Sequence, residues 1–178
     1  MRRFSNQLTL CLSLAALQCM QHASIGESPP EASASAVAMP PPLHGLKGEY
    51  FKSLDWTGTP VAVRIDPLLD LNWEFGMPVL GLPEAFSARW TGEVEAPFDD
   101  TYTVVVSCDD GCWLVLDGVA LLDYFSEGAS SSIVLTKGRH SIEVRLVSQA
   151  GYARVNVVWS SPLLPKEIIP TARLYPAR

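Results

Sequence analysis

The sequence predicts an all-β protein, an antiparallel β-sandwich of short strands. Three observations indicate this fold class. Between residues 89 and 160, short runs alternate apolar with polar residues and are rich in β-branched and aromatic side chains, as half-buried strands are. The breaks between these runs carry turn residues such as Asp-Asp, Asp-Gly and Lys-Gly-Arg. Beyond the N-terminal leader, no long window repeats its apolar residues with the period of a helix.

Six runs form the predicted strands of this sandwich, and further strands are expected within residues 45–75. Their spacing is typical of a sandwich or barrel of about 130 residues. Trp90, Tyr102 and Trp159 lie in strands and are expected in the core, whereas Trp113 faces the side opposite to Leu114. The runs cover residues 89–97, 101–108, 112–118, 131–138, 140–148 and 152–160.

Residues 1–24 predict a secretory signal peptide. Arg2 and Arg3 give it a basic start, and residues 8–20 form an apolar stretch too short to span a membrane. Small residues near Ala23 offer a cleavage site. The protein is therefore expected to be secreted or extracytoplasmic.

Residues 25–44 predict a disordered linker, followed by one folded domain over residues 45–178. The linker is rich in Pro, Ala and Ser and cannot bury an apolar face. Lipid anchoring at Cys19 is not expected, because Gln18 stands where a lipoprotein leader needs a small residue. No other stretch is long and apolar enough to predict a transmembrane segment in the mature chain.

The charge balance argues against a nucleic-acid partner. The full chain has a formal net charge of −6, and loss of the two arginines with the leader leaves −8. The remaining arginines are scattered singly along the chain, so no basic stripe could follow a phosphate backbone.

The two cysteines of the mature chain predict a disulfide. Of the four cysteines, only Cys108 and Cys112 lie beyond the leader. A closely spaced pair in an exported protein most often forms a disulfide, and a tight bend brings the two Cα atoms within reach. A zinc site is not expected, because His44 and His140 are isolated and the pair alone supplies too few ligands.

Asp109 and Asp110, which stand between these cysteines, allow two interpretations. They are either a hairpin turn, with Gly111 supplying positive φ, or a metal or sugar site. One turn can also serve both roles. The second Asp-Gly pair, Asp117-Gly118, is predicted to be a plain turn.

Catalysis is not expected. Glu93 and Glu95 lie two residues apart on one predicted strand, so their separation overlaps that of an inverting glycosidase pair. Neighbouring carboxylates on a strand are, however, more typical of a solvated face. The sequence contains no nucleophile triad or phosphate-binding loop.

Several short motifs in order carry a family resemblance. The chain resembles the fourteen-kilodalton protective-antigen domain, PA-14, a β-sandwich of bacterial toxins, glycosidases and fungal adhesins. The resemblance covers essentially all of residues 45–176. It rests on "GLKGEYF" (45–51), "DWTGTPV" (55–61), "RIDPLLDLNW" (64–73), "FSARWTGEVEAP" (86–97), "TYTVVVSCDDGCWLVLDG" (101–118), "LTKGRHSIEVRL" (135–146), "VVWSSP" (157–162) and "IIPTARLYP" (168–176).

The resemblance implies a binding function, with carbohydrate as the ligand class. In sugar-binding members, two consecutive aspartates joined by a cis peptide hold Ca²⁺, and Ca²⁺ holds sugar hydroxyls. Asp109 and Asp110 match that position, so they are the candidate metal and ligand residues. The later loop, residues 148–154, lacks the family's asparagine; Gln149 offers one amide oxygen and Tyr152 a stacking surface. Calcium affinity is therefore expected to be weak.

Two hypotheses follow for the function. The first is a secreted, non-catalytic module that binds a glycan or cell-surface polysaccharide, with Ca²⁺ as an optional cofactor. The second is a structural or protein-interaction domain that has a protein partner and in which the aspartate turn is only architectural.

Overall fold

The computed structural model describes residues 44–74, 76–125 and 129–177. The predicted signal peptide, Cys19 and nearly all of the predicted linker lie outside the described residues. The described part folds into strands and one 3₁₀ turn, Thr171–Arg173, with no α-helix and no helix that could cross a bilayer. The strands are β1 Leu46–Phe51, β2 Ala62–Asp66, β3 Asp70–Glu74, β4 Phe86–Ala96, β5 Asp100–Asp109, β6 Gly111–Leu116, β7 Val119–Phe125, β8 Ala129–Leu135, β9 Gly138–Ser148, β10 Ala153–Ser161, β11 Leu164–Ile168 and β12 Leu174–Pro176.

The strands form two antiparallel sheets, which confirms the predicted sandwich. The seven-stranded sheet has the order β2-β1-β4-β9-β6-β7, and β12 also pairs with β4. The five-stranded sheet has the order β11-β10-β5-β8, and β3 also pairs with β10. The chain therefore passes from one sheet to the other between β5 and β6.

The core lies between the two sheets and takes alternate residues from each strand. In β5 and β10 every second residue is buried, as a period of two requires when one face of a sheet is covered. The aromatic residues predicted for the core are there: Trp90 and Tyr102 are fully buried, and Trp159 is 1% exposed. Trp73 of β3 stacks on Trp90, with ring centroids 6.4 Å apart.

A buried carboxylate ties three strands of the seven-stranded sheet together. Asp66 accepts hydrogen bonds from Tyr50 Oη at 2.6 Å, Trp90 Nε1 at 2.7 Å and Arg64 Nε at 2.7 Å. Burial and the Asp66 charge both raise the pKa of Tyr50, so its hydroxyl remains a donor. Gly48 permits this packing, because a Cβ there would lie 2.4 Å from Asp66 Oδ2.

Candidate functional site

The aspartate pair lies at the point where the chain changes sheets. Asp109 ends β5 of the five-stranded sheet, and Gly111 begins β6 of the seven-stranded sheet. The hairpin interpretation is therefore wrong, because β5 and β6 do not pair with each other. The positive φ predicted for Gly111 is also wrong. Gly111 is the first residue of β6 and has the extended backbone of a strand, so it does not adopt the positive φ of a hairpin turn. The Asp109–Asp110 peptide is cis.

The predicted disulfide is present and closes this crossing. Cys108 and Cys112 are bonded, with their Cα atoms 6.3 Å apart, and both are buried. Cys108 belongs to β5 and Cys112 to β6, so the bond links the two sheets directly beside the aspartates. The carboxylates thus stand on a five-residue loop that is held at both ends.

The loop after β9 meets the aspartate turn. The backbone N–H of Asp110 donates to the Val147 carbonyl at 3.1 Å, and Asp110 Oδ2 accepts from the backbone N–H of Gln149 at 2.5 Å. The structure therefore brings Asp110 and Gln149 together through the backbone of Gln149. The Gln149 side chain is exposed.

Tyr152 projects from the same loop. Its side chain is exposed, with 40% of its surface accessible to solvent. The loop around it is held by two hydrogen bonds, from Tyr152 N–H to the Ala150 carbonyl at 2.8 Å and from Ser148 Oγ to the Tyr152 carbonyl at 3.3 Å. Gly151 has a φ of +67°, a conformation that favours glycine in this tight bend.

The strand that follows this loop adds a residue that the sequence analysis missed. Arg154 of β10 pairs in register with Asp109 of β5, which places a cation opposite the first carboxylate. Only the pairing of β5 with β10 brings these residues together, and no spacing within the sequence could have indicated it.

The donors at the turn are sparse for a calcium site. Among the described residues, no group of three or more His, Cys, Asp or Glu side chains could hold a metal ion. Ca²⁺ takes six to eight oxygens. Asp109 and Asp110 offer carboxylate oxygens of the right chemistry, but Asp110 Oδ2 already accepts an N–H. Backbone carbonyls, water and ligand hydroxyls would have to complete the shell.

The Asp117-Gly118 turn forms the two-residue hairpin between β6 and β7. Both residues have positive φ, +48° and +77°, as a type I′ turn requires. The Asp117 side chain also contacts β9, which a plain turn does not require. Asp117 Oδ1 accepts from Ser141 N–H at 2.8 Å, and Asp117 Oδ2 pairs with His140 Nδ1 at 2.6 Å. His140, expected to be isolated, is thus tied to this turn.

The two glutamates considered for catalysis have structural partners. Glu93 pairs with Arg139 at 3.4 Å, and Glu95 accepts from Tyr175 Oη at 2.6 Å. Arg139 lies over the Tyr175 ring, with its guanidinium carbon 3.5 Å from the ring centroid. The arrangement is a surface network of ion pair, hydrogen bond and cation–π contact, which agrees with the solvated-face interpretation.

Comparison with known proteins assigns most of the chain to one domain family. A family model described as the PA14 domain matches residues 43–172. The anti-sigma-I factor RsgI3 of Acetivibrio thermocellus is 38% identical over 139 residues, which are 75% of this chain and 21% of that protein. The chain therefore spans about a fifth of the length of this curated relative.

Solved structures include proteins with a similar fold. An anti-sigma factor domain-containing protein is 36% identical, with a TM-score of 0.72 over 76% of this chain and 48% of that chain. A structure described as the PA14 sugar-binding domain from an RTX adhesin is 18% identical, with a TM-score of 0.61 over 76% of this chain and 99% of that chain. At that identity the second likeness shows the shared fold alone.

Proposed function

Because this chain belongs to the PA14 domain family, we propose that it is a non-catalytic, extracytoplasmic module that binds carbohydrate at the Asp109–Asp110 turn. The observation that carries the proposal is the hydrogen bond that joins the carboxylate of Asp110, the neighbour of Asp109, to the loop at 149–152. Asp110 is held by the Gln149 N–H, and Tyr152 stands exposed on the same loop. Carboxylates that bind sugar diols, beside an aromatic surface that packs on a sugar ring, are the chemistry of a lectin-type site.

The turn is preorganised for such a ligand. The disulfide fixes both ends of the five-residue loop, and the Asp110 carboxylate is oriented by a backbone donor. A ligand that binds a site already held in place loses less free energy to the ordering of side chains and loops. Ca²⁺, if bound, would be held by Asp109 and Asp110 and would supply a positive centre for sugar hydroxyls.

A second candidate function is recognition of a protein partner. Two of the most similar proteins are named as anti-sigma factors or as containing an anti-sigma factor domain, at 38% and 36% identity. This chain matches only part of each of them. In this alternative, the domain contributes a protein-binding surface to a larger regulator, and the aspartate turn is architectural.

A glycan array separates the two functions. The folded domain is compared with Asp109→Ala/Asp110→Ala and with Asp123→Ala, which removes an exposed acid on β7. The proposal expects the unmodified domain and the Asp123 variant to bind the same glycans, and the double variant to lose them. Equal binding by all three proteins removes the turn as the site. No binding by any of them favours the protein partner.

A thermal melt tests the metal separately. Millimolar CaCl₂ should raise the melting temperature of the domain more than MgCl₂ does, because a ligand of the native state stabilises it. Asp109→Asn/Asp110→Asn keeps the size of both side chains and should abolish the difference. If CaCl₂ does not raise the melting temperature of the unmodified domain, the domain does not bind Ca²⁺, and any glycan binding does not require the metal.

A further inference from the structure

Two tryptophans meet on the outer face of the seven-stranded sheet. Trp113 of β6 points outward, since its neighbours Cys112 and Leu114 are fully buried inside the sandwich. Trp56, on the loop between β1 and β2, packs against it, with ring centroids 4.8 Å apart and ring planes at 87°. Both side chains are partly exposed. We call this pair of perpendicular rings the tryptophan corner.

Hydrogen bonds and a cation–π contact hold Trp56 in place at the tryptophan corner. Trp56 Nε1 donates to the Ala88 carbonyl at 3.0 Å, and the Trp56 backbone N–H donates to Ser87 Oγ at 3.2 Å. The Arg145 guanidinium lies 5.3 Å from the centroid of the Trp56 ring, within the range of a cation–π contact. Aromatic rings fixed in advance offer contact area at low entropic cost to a ligand.

The strand register places the tryptophan corner a short distance along β6 from Asp110. Gly111 pairs with Val147, whose carbonyl accepts from Asp110 N–H, and Trp113 pairs with Arg145 two residues further along. Successive residues on one face of a strand are about 7 Å apart. The distance from Gly111, which follows the aspartates, to Trp113 is therefore about 7 Å, on the order of one or two sugar rings.

The charges around the tryptophan corner are balanced. Arg145 pairs with Glu143, and Arg89, its neighbour in register on β4, pairs with Glu49 at 2.7 Å. The two cations thus add no net positive charge to this face. The surface offers apolar ring faces and polar groups, which suits the C–H faces and hydroxyls of a neutral sugar better than an anionic one.

We propose that the tryptophan corner is a stacking subsite for a further saccharide unit of the glycan that binds at the Asp109–Asp110 turn. The inference rests on the proposed function and extends it: the ligand is a neutral oligosaccharide of at least two units, and affinity depends on chain length. The aspartate turn holds one unit, and Trp113 packs against a later one.

Chain-length dependence tests the subsite. D-glucose, D-galactose, D-mannose and D-xylose are each compared with their β-1,4-linked tetrasaccharides by calorimetry. The domain should bind at least one tetrasaccharide about tenfold more tightly than its monosaccharide, a difference typical of one added aromatic contact. Trp113→Ala should remove this gain and leave monosaccharide affinity unchanged, and Trp113→Phe should keep part of it.

Phe98→Ala is the matched control, because it removes an exposed aromatic at the opposite end of β5. It should bind all probes as the unmodified domain does. Tryptophan fluorescence gives a second readout that does not require the alanine variant to fold. The emission should change with the tetrasaccharide but not with the monosaccharide, and this change should be smaller in Trp113→Phe.

The outcomes distinguish the subsite from the function on which it rests. If Trp113→Ala and the unmodified domain bind the tetrasaccharide alike, and Asp109→Ala/Asp110→Ala does not bind, the subsite is refuted and the proposed function stands. If only the Trp113 variant loses binding, the corner binds sugar and the turn does not, which overturns the proposed function. If no probe binds the unmodified domain, both are overturned.

Discussion

The carboxylate of Asp110 accepts a hydrogen bond from the backbone N–H of Gln149, 39 residues further along the chain. This contact joins the crossing between the two sheets to the loop after β9. The Asp110 side chain therefore helps to hold the two parts of the proposed carbohydrate site together, and the effect of its removal on stability should be measurable even without a ligand.

We expect Asp110→Ala to lower the free energy of unfolding by about 1–2 kcal/mol, near the lower end for a hydrogen bond to a charged group, because Asp110 is only partly buried. Urea denaturation measures the change. Gln149→Ala is the matched control, because the donor is the backbone N–H and the side chain is exposed. Its effect should stay within about 0.5 kcal/mol. An equal loss in both variants would contradict the assignment of the bond.

The disulfide should stabilise the turn more than the sandwich. A closed loop of five residues implies a chain-entropy contribution of about 2 kcal/mol, so Cys108→Ala/Cys112→Ala should lose about that much stability. Its sheets should still form, since the core between them is extensive. Far-ultraviolet circular dichroism and glycan affinity distinguish the two effects. Unchanged affinity in the folded variant would show that the turn keeps its shape without the bond.

The pairing of His140 with Asp117 should make stability depend on pH. His140 Nε2 lies 2.7 Å from the Thr136 carbonyl and Nδ1 lies 2.6 Å from Asp117 Oδ2, so both ring nitrogens face acceptors and only the protonated ring satisfies both. Burial lowers the pKa of His140, but the bonds to Asp117 and Thr136 outweigh it and raise that pKa above 6.5. This contribution to stability is therefore complete below about pH 6.5 and is lost as pH rises through the higher folded pKa.

Asp117 responds in the opposite direction. Burial raises its pKa, but the bonds from His140 and Ser141 prevail and hold it below 3.8. Its contribution is therefore present above about pH 4 and is lost as pH falls through the folded pKa.

Urea denaturation tests the contribution of His140. The free energy of unfolding should be lower at about pH 9 than at about pH 6, and His140→Gln should abolish this difference while His44→Gln keeps it. The same loss in both variants would rule out His140 as its source.

Asp66 is expected to be the costliest polar side chain to remove. Asp66→Ala leaves Tyr50, Trp90 and Arg64 without their common acceptor, so we expect a loss of about 3–5 kcal/mol. Arg139→Ala, which breaks an exposed ion pair with Glu93, should cost at most about 1 kcal/mol. Similar losses in the two variants would show that the buried network contributes no more than a surface pair.

The sequence predicted the sandwich because most strands carry their own signal. The six runs correspond to β4, β5, β6, β8, β9 and β10, and the expected strands within residues 45–75 are β1, β2 and β3. Three strands were missed. β7 is a nearly continuous apolar run directly after a turn, β11 contains a proline and two charges, and β12 has only three residues. Pairing with a neighbour stabilises such strands, and alternation does not reveal them.

The disulfide was predictable from the sequence, but the topology around it was not. The spacing of Cys108 and Cys112 indicated the disulfide, whereas the hairpin turn predicted at the aspartates between them is wrong. A change of sheet after Asp109 leaves no local trace, because the partners of β5 and β6 lie far along the chain. The contact of Asp110 with Gln149 and the pairing of Asp109 with Arg154 follow only from those distant pairings.

The two ends of the folded domain leave the sandwich side by side. Gly45 N–H donates to the Leu174 carbonyl at 2.8 Å, and the His44 and Tyr175 rings lie 4.9 Å apart. These contacts adjoin the C-terminal half of β4, whereas the aspartate turn adjoins its N-terminal end. The two ends of the domain therefore lie together, away from the end of β4 that adjoins the proposed carbohydrate site, so a ligand could reach the aspartate turn without passing either of them.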